Sequence, residues 1–305
     1  MPAIVVRNLR KSYGDVEAVR GIDFEVATGA VFALLGPNGA GKTTTLEIME
    51  GFRKRTSGEV QVLGTDPAAG TRALRERVGI VLQDTAVDPF LTVREALTRN
   101  AGYYPRPRSV AEVIRLVGLQ EKAGTRVQKL SGGQQRRLDV ALGIIGNPEL
   151  VFLDEPTTGF DPSARRSAWE LVRGLIGGGT TIVLTTHYMD EAQELADQVA
   201  VISGGKIVAA GTPESLGGRD TAAARIRFSL PNGVAPTELQ LPVEAIGPDL
   251  VLRTDDEVRA LHTLTGWSLD HGVPLLGLVV ERPSLEDVYL ELTGGAAPTE
   301  TGVAA

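Results

Sequence analysis

Val31-Phe32-Ala33-Leu34-Leu35 runs directly into Gly36-Pro37-Asn38-Gly39-Ala40-Gly41-Lys42-Thr43, and these thirteen positions decide the fold. Five consecutive apolar residues have the length of a strand buried on both faces, the mark of a parallel sheet covered by helices. The glycine-rich stretch leaves that strand and enters a helical pattern from Thr44 to Met49. Glycines at such a turn let successive backbone N–H groups curl around phosphate oxygens, and the helix start adds positive potential. Lys42 supplies a point charge, and the Thr43 hydroxyl, followed by Thr44, can ligate magnesium. Strand, glycine turn and helix in this order predict an α/β core that cradles a phosphate.

The same pattern extends outward. Upstream, Ile22, Phe24 and Val26 alternate with Asp23 and Glu25, the period of a half-buried strand, and a mostly parallel sheet is expected to start in the region of this strand and Val31 to Leu35. From about residue 84 to residue 147 the chain is rich in helical spacing, as in Val93-Arg94-Glu95-Ala96-Leu97 and Val110 to Leu119, and is read as a helical insertion. Leu150-Val151-Phe152-Leu153 and Thr181-Ile182-Val183-Leu184 then resume the buried strands, with a helix from Ser163 to Leu175 between them. A boundary is placed after Leu216, because Gly217-Gly218 opens a polar, alanine-rich stretch before a new strand, Arg225-Ile226-Arg227-Phe228. Residues 217–294 are expected to form a small α+β domain, with a helix from Asp255 to about Leu269 and a capping box at Ser284 and Asp287. Residues 295–305 read as a loose tail.

Composition limits the function classes. Of 305 residues, 42% are apolar and 23% charged, which excludes a disordered class and favours packed domains. No apolar run approaches the roughly 18 residues of a spanning helix, so work at a membrane requires a partner chain. A formal charge of -7 leaves no general cationic field for nucleic acid. The first residues lack the basic-then-apolar order of a signal peptide and cysteine is absent, so a cytoplasmic address is expected.

A second chemical element is Leu150-Val151-Phe152-Leu153-Asp154-Glu155, an apolar strand that ends in two acids. Carboxylates at a strand end face the crevice in which open α/β sheets bind ligands. Asp154 suits the magnesium shell, and Glu155 suits a general base that aligns or deprotonates the attacking water. Alone, paired acids after a strand also serve as a solvated helix start. The phosphate loop upstream favours chemistry.

The third element, Leu130-Ser131-Gly132-Gly133-Gln134, resembles the signature of the ABC ATPases. As a bare string it is also a loop with a helix cap. Ahead of the pattern Gln135 to Ile145, however, Ser131, Gly132, Gly133 and Gln134 make a second anion-binding helix start. Four single residues complete the resemblance: Tyr13, which would stack on adenine; Gln83, which would reach magnesium; Asp161, which would contact the opposing subunit; and His187, which would contact the γ-phosphate and Glu155. Phe160 departs from the more common leucine beside Asp161.

The resemblance covers roughly Ile4 to Leu216. It implies a RecA-like P-loop NTPase core with an antiparallel β edge and a helical subdomain, ATP as nucleotide and Mg2+ as ion. It also implies a head-to-tail dimer with a second ATP-binding subunit, a homodimer, on the cytoplasmic face of the membrane. Arg136-Arg137-Leu138-Asp139, Thr186-His187-Tyr188-Met189-Asp190-Glu191-Ala192 and the closing Pro283 to Leu290 resemble the daunorubicin-resistance type. That type implies an integral membrane ABC-2 type permease and export of a hydrophobic drug or natural product, with Gln83 and the helical insertion carrying the coupling. A rival expectation is a soluble ABC ATPase acting on ribosomes or nucleic acid, which would call for two cassettes or a long coiled coil, and the sequence has neither. A catalytically silent regulatory subunit is disfavoured by the presence of Lys42, Ser131, Asp154, Glu155 and His187.

Overall fold

The computed structural model describes residues 1–81, 87–158, 160, 162–176, 178–219, 223–231, 233–239 and 241–293. The chain forms two compact units, one holding Met1–Pro213 and one over Glu214–Glu291.

The first unit opens with β1 (Pro2–Tyr13), β2 (Val16–Ala27), β3 (Val31–Leu35), α1 (Lys42–Glu50) and β4 (Ser57–Val62). Strands β2, β1 and β4 form a separate antiparallel sheet. The parallel sheet starts at β3, within the expected region, while the strand of Ile22 to Val26 belongs to the antiparallel sheet. The reason lies in the alternation of β2: Ile22, Phe24 and Val26 are buried while Asp23 and Glu25 are exposed, the pattern of a sheet with one solvated face.

The chain continues through the single turn α2 (Arg72–Arg75), β5 (Val78–Val81), α3 (Val93–Ala101), α4 (Val110–Leu116) and α5 (Gly132–Ile144). It returns through β6 (Leu150–Asp154), α6 (Pro162–Ile176), β7 (Thr181–Thr186), α7 (Met189–Leu195), β8 (Gln198–Ser203) and β9 (Lys206–Gly211). The large sheet has the order β5-β6-β7-β3-β8-β9, parallel except for β9 at its edge. Every residue of β3, β6 and β7 is buried, as the apolar runs require. Phe32, Leu34, Phe152, Val183 and Ala200 from this sheet join Ile4, Val6, Ile22 and Phe24 from the antiparallel one in a single core. Burial of that apolar surface, at about 25 cal/mol per Å², is the main force holding the two sheets together.

Helices α3, α4 and α5 fall in the stretch read as an insertion. Two of them have a sequence-coded start. Thr92 and Glu95 form a capping box for α3, and Ser131 and Gln134 form another for α5.

The second unit contains β10 (Ala224–Ser229), β11 (Val243–Ile246), β12 (Asp249–Thr254), α8 (Glu257–His271), β13 (Leu276–Glu281) and α9 (Leu285–Thr293). Its antiparallel sheet has the order β11-β12-β10-β13. Leu264 of α8 packs with Ile226, Phe228, Leu250 and Leu252. Asp256 caps α8, and Ser284 exchanges bonds with Asp287 at the start of α9. Among the described residues no helix is long and apolar enough to cross a membrane.

Candidate functional site

Strand order gathers the chemistry. Because β3, β7 and β6 are parallel neighbours, the segments that leave their carboxyl ends emerge side by side: Gly36 to Lys42 after β3, His187 after β7 and Glu155 after β6. This is the crevice that open α/β sheets use for ligands.

The loop after β3 depends on two glycines. A Cβ at Gly36 would lie 2.3 Å from the Ile202 carbonyl oxygen, and one at Gly41, whose φ is +107°, would lie 2.7 Å from that of Ala18. Only glycine allows the backbone this close to β8 and β2. The turn delivers Lys42 as the first residue of α1, buried, with Nζ donating to Gly36 O at 2.7 Å and Pro37 O at 3.3 Å. Its ammonium is thus held at the mouth of the cradle. Thr45 is pinned by its hydroxyl to Gly41 O at 2.8 Å, whereas Asn38, Gly39 and Thr43 are exposed.

At the end of β6 the register sets Asp154 opposite Thr185. The Thr185 hydroxyl donates to Asp154 Oδ1 at 2.5 Å and accepts the Glu155 N–H at 3.1 Å. Glu155 has a φ of +43°, in the left-handed region that few residues other than glycine occupy. Such strain persists only where neighbours over-determine it, and it gathers at functional sites. The turn aims the Glu155 carboxylate between two cations or potential cations: Oε1 lies 3.9 Å from Lys42 Nζ and Oε2 lies 3.4 Å from His187 Nδ1. Thr158 donates to Oε2 at 3.1 Å.

The electrostatics separate the two acids. The His187 imidazole, ahead of Lys42, holds the Glu155 carboxyl below its ordinary value against the opposing effect of burial. Burial instead pushes Asp154 up, partly offset by the Thr185 hydroxyl. Burial also lowers Lys42, opposed by the charges of Glu155 and Asp154. Glu155 is therefore ionised at neutral pH and able to accept a hydrogen bond or a proton, in a setting where added phosphate would restore Lys42.

The structure thus brings together the loop, Lys42, Asp154, Glu155 and His187. Ser131, Gly133 and Gln134 instead line a cavity of about 470 Å³ between α5 and α6, whose lining includes none of residues 36–43. Tyr13 closes β1, partly exposed, with Lys11 Nζ 4.8 Å and Arg53 Cζ 5.3 Å from its ring centre. Gln83 and Asp161 lie outside the described residues. The sequence reading missed Thr185, Thr158 and Arg136. A hydroxyl interrupting the apolar run of β7 was the available signal for Thr185.

The family model for ABC transporter matches residues 19–158, and one for the ABC transporter domain-containing protein-like C-terminal domain matches 224–284. The chain is 39% identical over 303 residues to Nod factor export ATP-binding protein I of Ralstonia nicotianae, covering 96% of this chain and 94% of that protein. The chain belongs to the ATP-binding proteins of ABC transporters. Daunorubicin resistance ATP-binding protein DrrA3 of Streptomyces coeruleorubidus is 36% identical over 303 residues, covering 96% of each chain. Among solved structures, cbiO1 from Clostridium perfringens, part of the ABC transporter complex cbiONQ, is 27% identical with a TM-score of 0.64, covering 70% of this chain and 90% of that one. An ABC ATP-binding protein is an ATPase, and the crevice at the ends of β3, β6 and β7 is the candidate site for that chemistry.

Proposed function

We propose that this ATP-binding protein hydrolyses ATP as one of two identical subunits and thereby powers export of a hydrophobic drug or natural product through a separate ABC-2 type permease. The observation that supports it most is the Glu155 carboxylate poised between Lys42 and His187 at the mouth of the phosphate loop. The names of the export and resistance relatives support the direction of transport.

ATP enters with its phosphates on the N–H groups of the loop and the start of α1, and Lys42 turns from the Gly36 and Pro37 carbonyls to the phosphate oxygens. A water between the γ-phosphate and Glu155 is aligned by the carboxylate. As its oxygen bonds to the γ-phosphorus, the bond to the β–γ bridging oxygen breaks, ADP leaves with that electron pair, and the water proton passes to Glu155. His187 steadies the carboxylate and reaches the γ-phosphate. Ser131 and the first turn of α5 would close the partner subunit's nucleotide, with Asp161 at the subunit contact and Tyr13 against adenine.

The residues fit magnesium. Among the described residues no group of three or more acidic, histidine or cysteine ligands could hold a metal alone. Magnesium, however, commonly takes one or two protein oxygens and completes its shell with substrate phosphates and water. Thr43, Asp154 and Gln83 would hold it, and it would neutralise charge on the transferring phosphoryl group.

The test is to reconstitute the chain with the polytopic membrane protein that co-purifies with it from its native membrane. Substrate-stimulated ATP hydrolysis that disappears with Lys42→Ala is expected. A chain that recruits no membrane protein and hydrolyses ATP only when ribosomes or DNA are added would overturn the proposal.

A further inference from the structure

Arg136 lies in α5, five residues after Ser131, and is buried. Its guanidinium reaches across to the turn after β6, where Nε donates to Pro156 O at 3.1 Å and Nη2 to Asp154 O at 3.1 Å. On its own helix, Nη1 lies 4.0 Å from Asp139 Oδ2. The two carbonyls belong to the residues immediately before and after Glu155. A rigid planar fork therefore brackets the one residue of this turn that holds a left-handed backbone.

We propose that Arg136 is a positioning residue for Glu155, fixing the Asp154 and Pro156 carbonyls so that the carboxylate leaves the strained turn toward Lys42 and His187. The Glu155 N–H, donating to Thr185, fixes one side of the peptide; the guanidinium fixes the other. Lysine cannot replace it, because an ammonium is a point charge without the fork that spans two carbonyls. Arg136 also shares a helix with Ser131, so a shift at the start of α5 is transmitted to the Glu155 turn through two hydrogen bonds. The proposal rests on Glu155 being the base.

The experiment uses the full chain, with Arg136→Lys and Arg136→Met beside Glu155→Gln as reference, and reads ATP turnover, affinity for a fluorescent ATP analogue and thermal stability. Misplacing a catalytic group by about 1 Å can cost about 10²-fold. Both Arg136 variants should lose roughly tenfold to 10²-fold in kcat with nucleotide affinity within about twofold of the parent. Lysine should do no better than methionine, and Arg136→Met added to Glu155→Gln should lower turnover no further. Normal turnover in Glu155→Gln would sink the mechanism on which the proposal stands. Loss of turnover in Glu155→Gln with near-parental turnover in Arg136→Lys would sink the positioning role alone. Loss of nucleotide affinity in step with turnover, or failure of both Arg136 variants to fold, would assign Arg136 to stability and equally overturn it.

Discussion

Glu155 Oε2 stands 3.4 Å from His187 Nδ1, a contact made between the ends of two neighbouring parallel strands. It follows from topology: β6 and β7 run side by side, and the residue that follows each one points into the same crevice. The contact favours the ionised form of Glu155 in a half-buried place, as the proposed role of general base requires.

In the proposed mechanism Lys42 serves binding rather than proton transfer. Its ammonium is buried and satisfied by loop carbonyls, so its removal empties the cradle of its fixed cation. Lys42→Ala should weaken ATP affinity by at least about tenfold, the scale of a lost charge-assisted hydrogen bond of about 1.5–3 kcal/mol. Fluorescent-nucleotide titration checks this, and parental affinity in a folded variant would contradict it.

Ser131 should act on the partner's nucleotide. Mixing Lys42→Ala chains with Ser131→Arg chains gives mixed dimers with one intact composite site, while each variant alone has none. Hydrolysis should therefore be low in each pure variant and recover in the mixture. Full activity in pure Ser131→Arg would show that each chain's site is complete without the partner's Ser131.

Glu50, at the end of α1, sets a pH dependence. Burial, with the Asp154 and Glu47 charges beside it, pushes its carboxyl up to about 8, against about 4.3 in an unfolded chain. The folded state thus holds a proton that the unfolded state releases, so this contribution to stability is complete below about pH 4.3 and is lost as pH rises toward 8. Without nucleotide or magnesium, the parent's Tm should fall between pH 5 and 8.5, and Glu50→Gln should flatten that fall and melt higher at pH 8.5. Parallel Tm profiles would remove Glu50 as the cause.

The legible parts of the sequence were those in which one local pattern had a single physical meaning. Val31 to Lys42 reads as buried strand, glycine turn and helix start, and the structure has these at β3, the loop and α1. Ser284 and Asp287 announce α9 in the same way. β1 was not read as a strand because its alternation breaks: register shifts occur between Val6 and Leu9 and between Leu9 and Arg10, with Asn8 at a φ of +44°. β13 was silent for a different reason, since all six of its residues are exposed at a sheet edge and leave no buried face to mark a period. Within the site, Lys42, Asp154 and Glu155 announce themselves by type and place. Arg136 does not, because its hydrogen bonds to the Asp154 and Pro156 carbonyls reach about twenty residues along the chain, which no side-chain pattern encodes.

The measurement that bears most directly on the account is steady-state ATP hydrolysis by Glu155→Gln, taken with the mass of the chain in ATP and magnesium. The substitution keeps size and hydrogen-bonding shape but removes the proposed base, so turnover should fall by about 10² to 10⁴, the range for losing a general base. ATP should still bind, and the chain should accumulate as an ATP-held dimer because the step that releases it is blocked. Hydrolysis near the parental rate by a folded Glu155→Gln chain would contradict the assignment of Glu155 as the base and move it to His187.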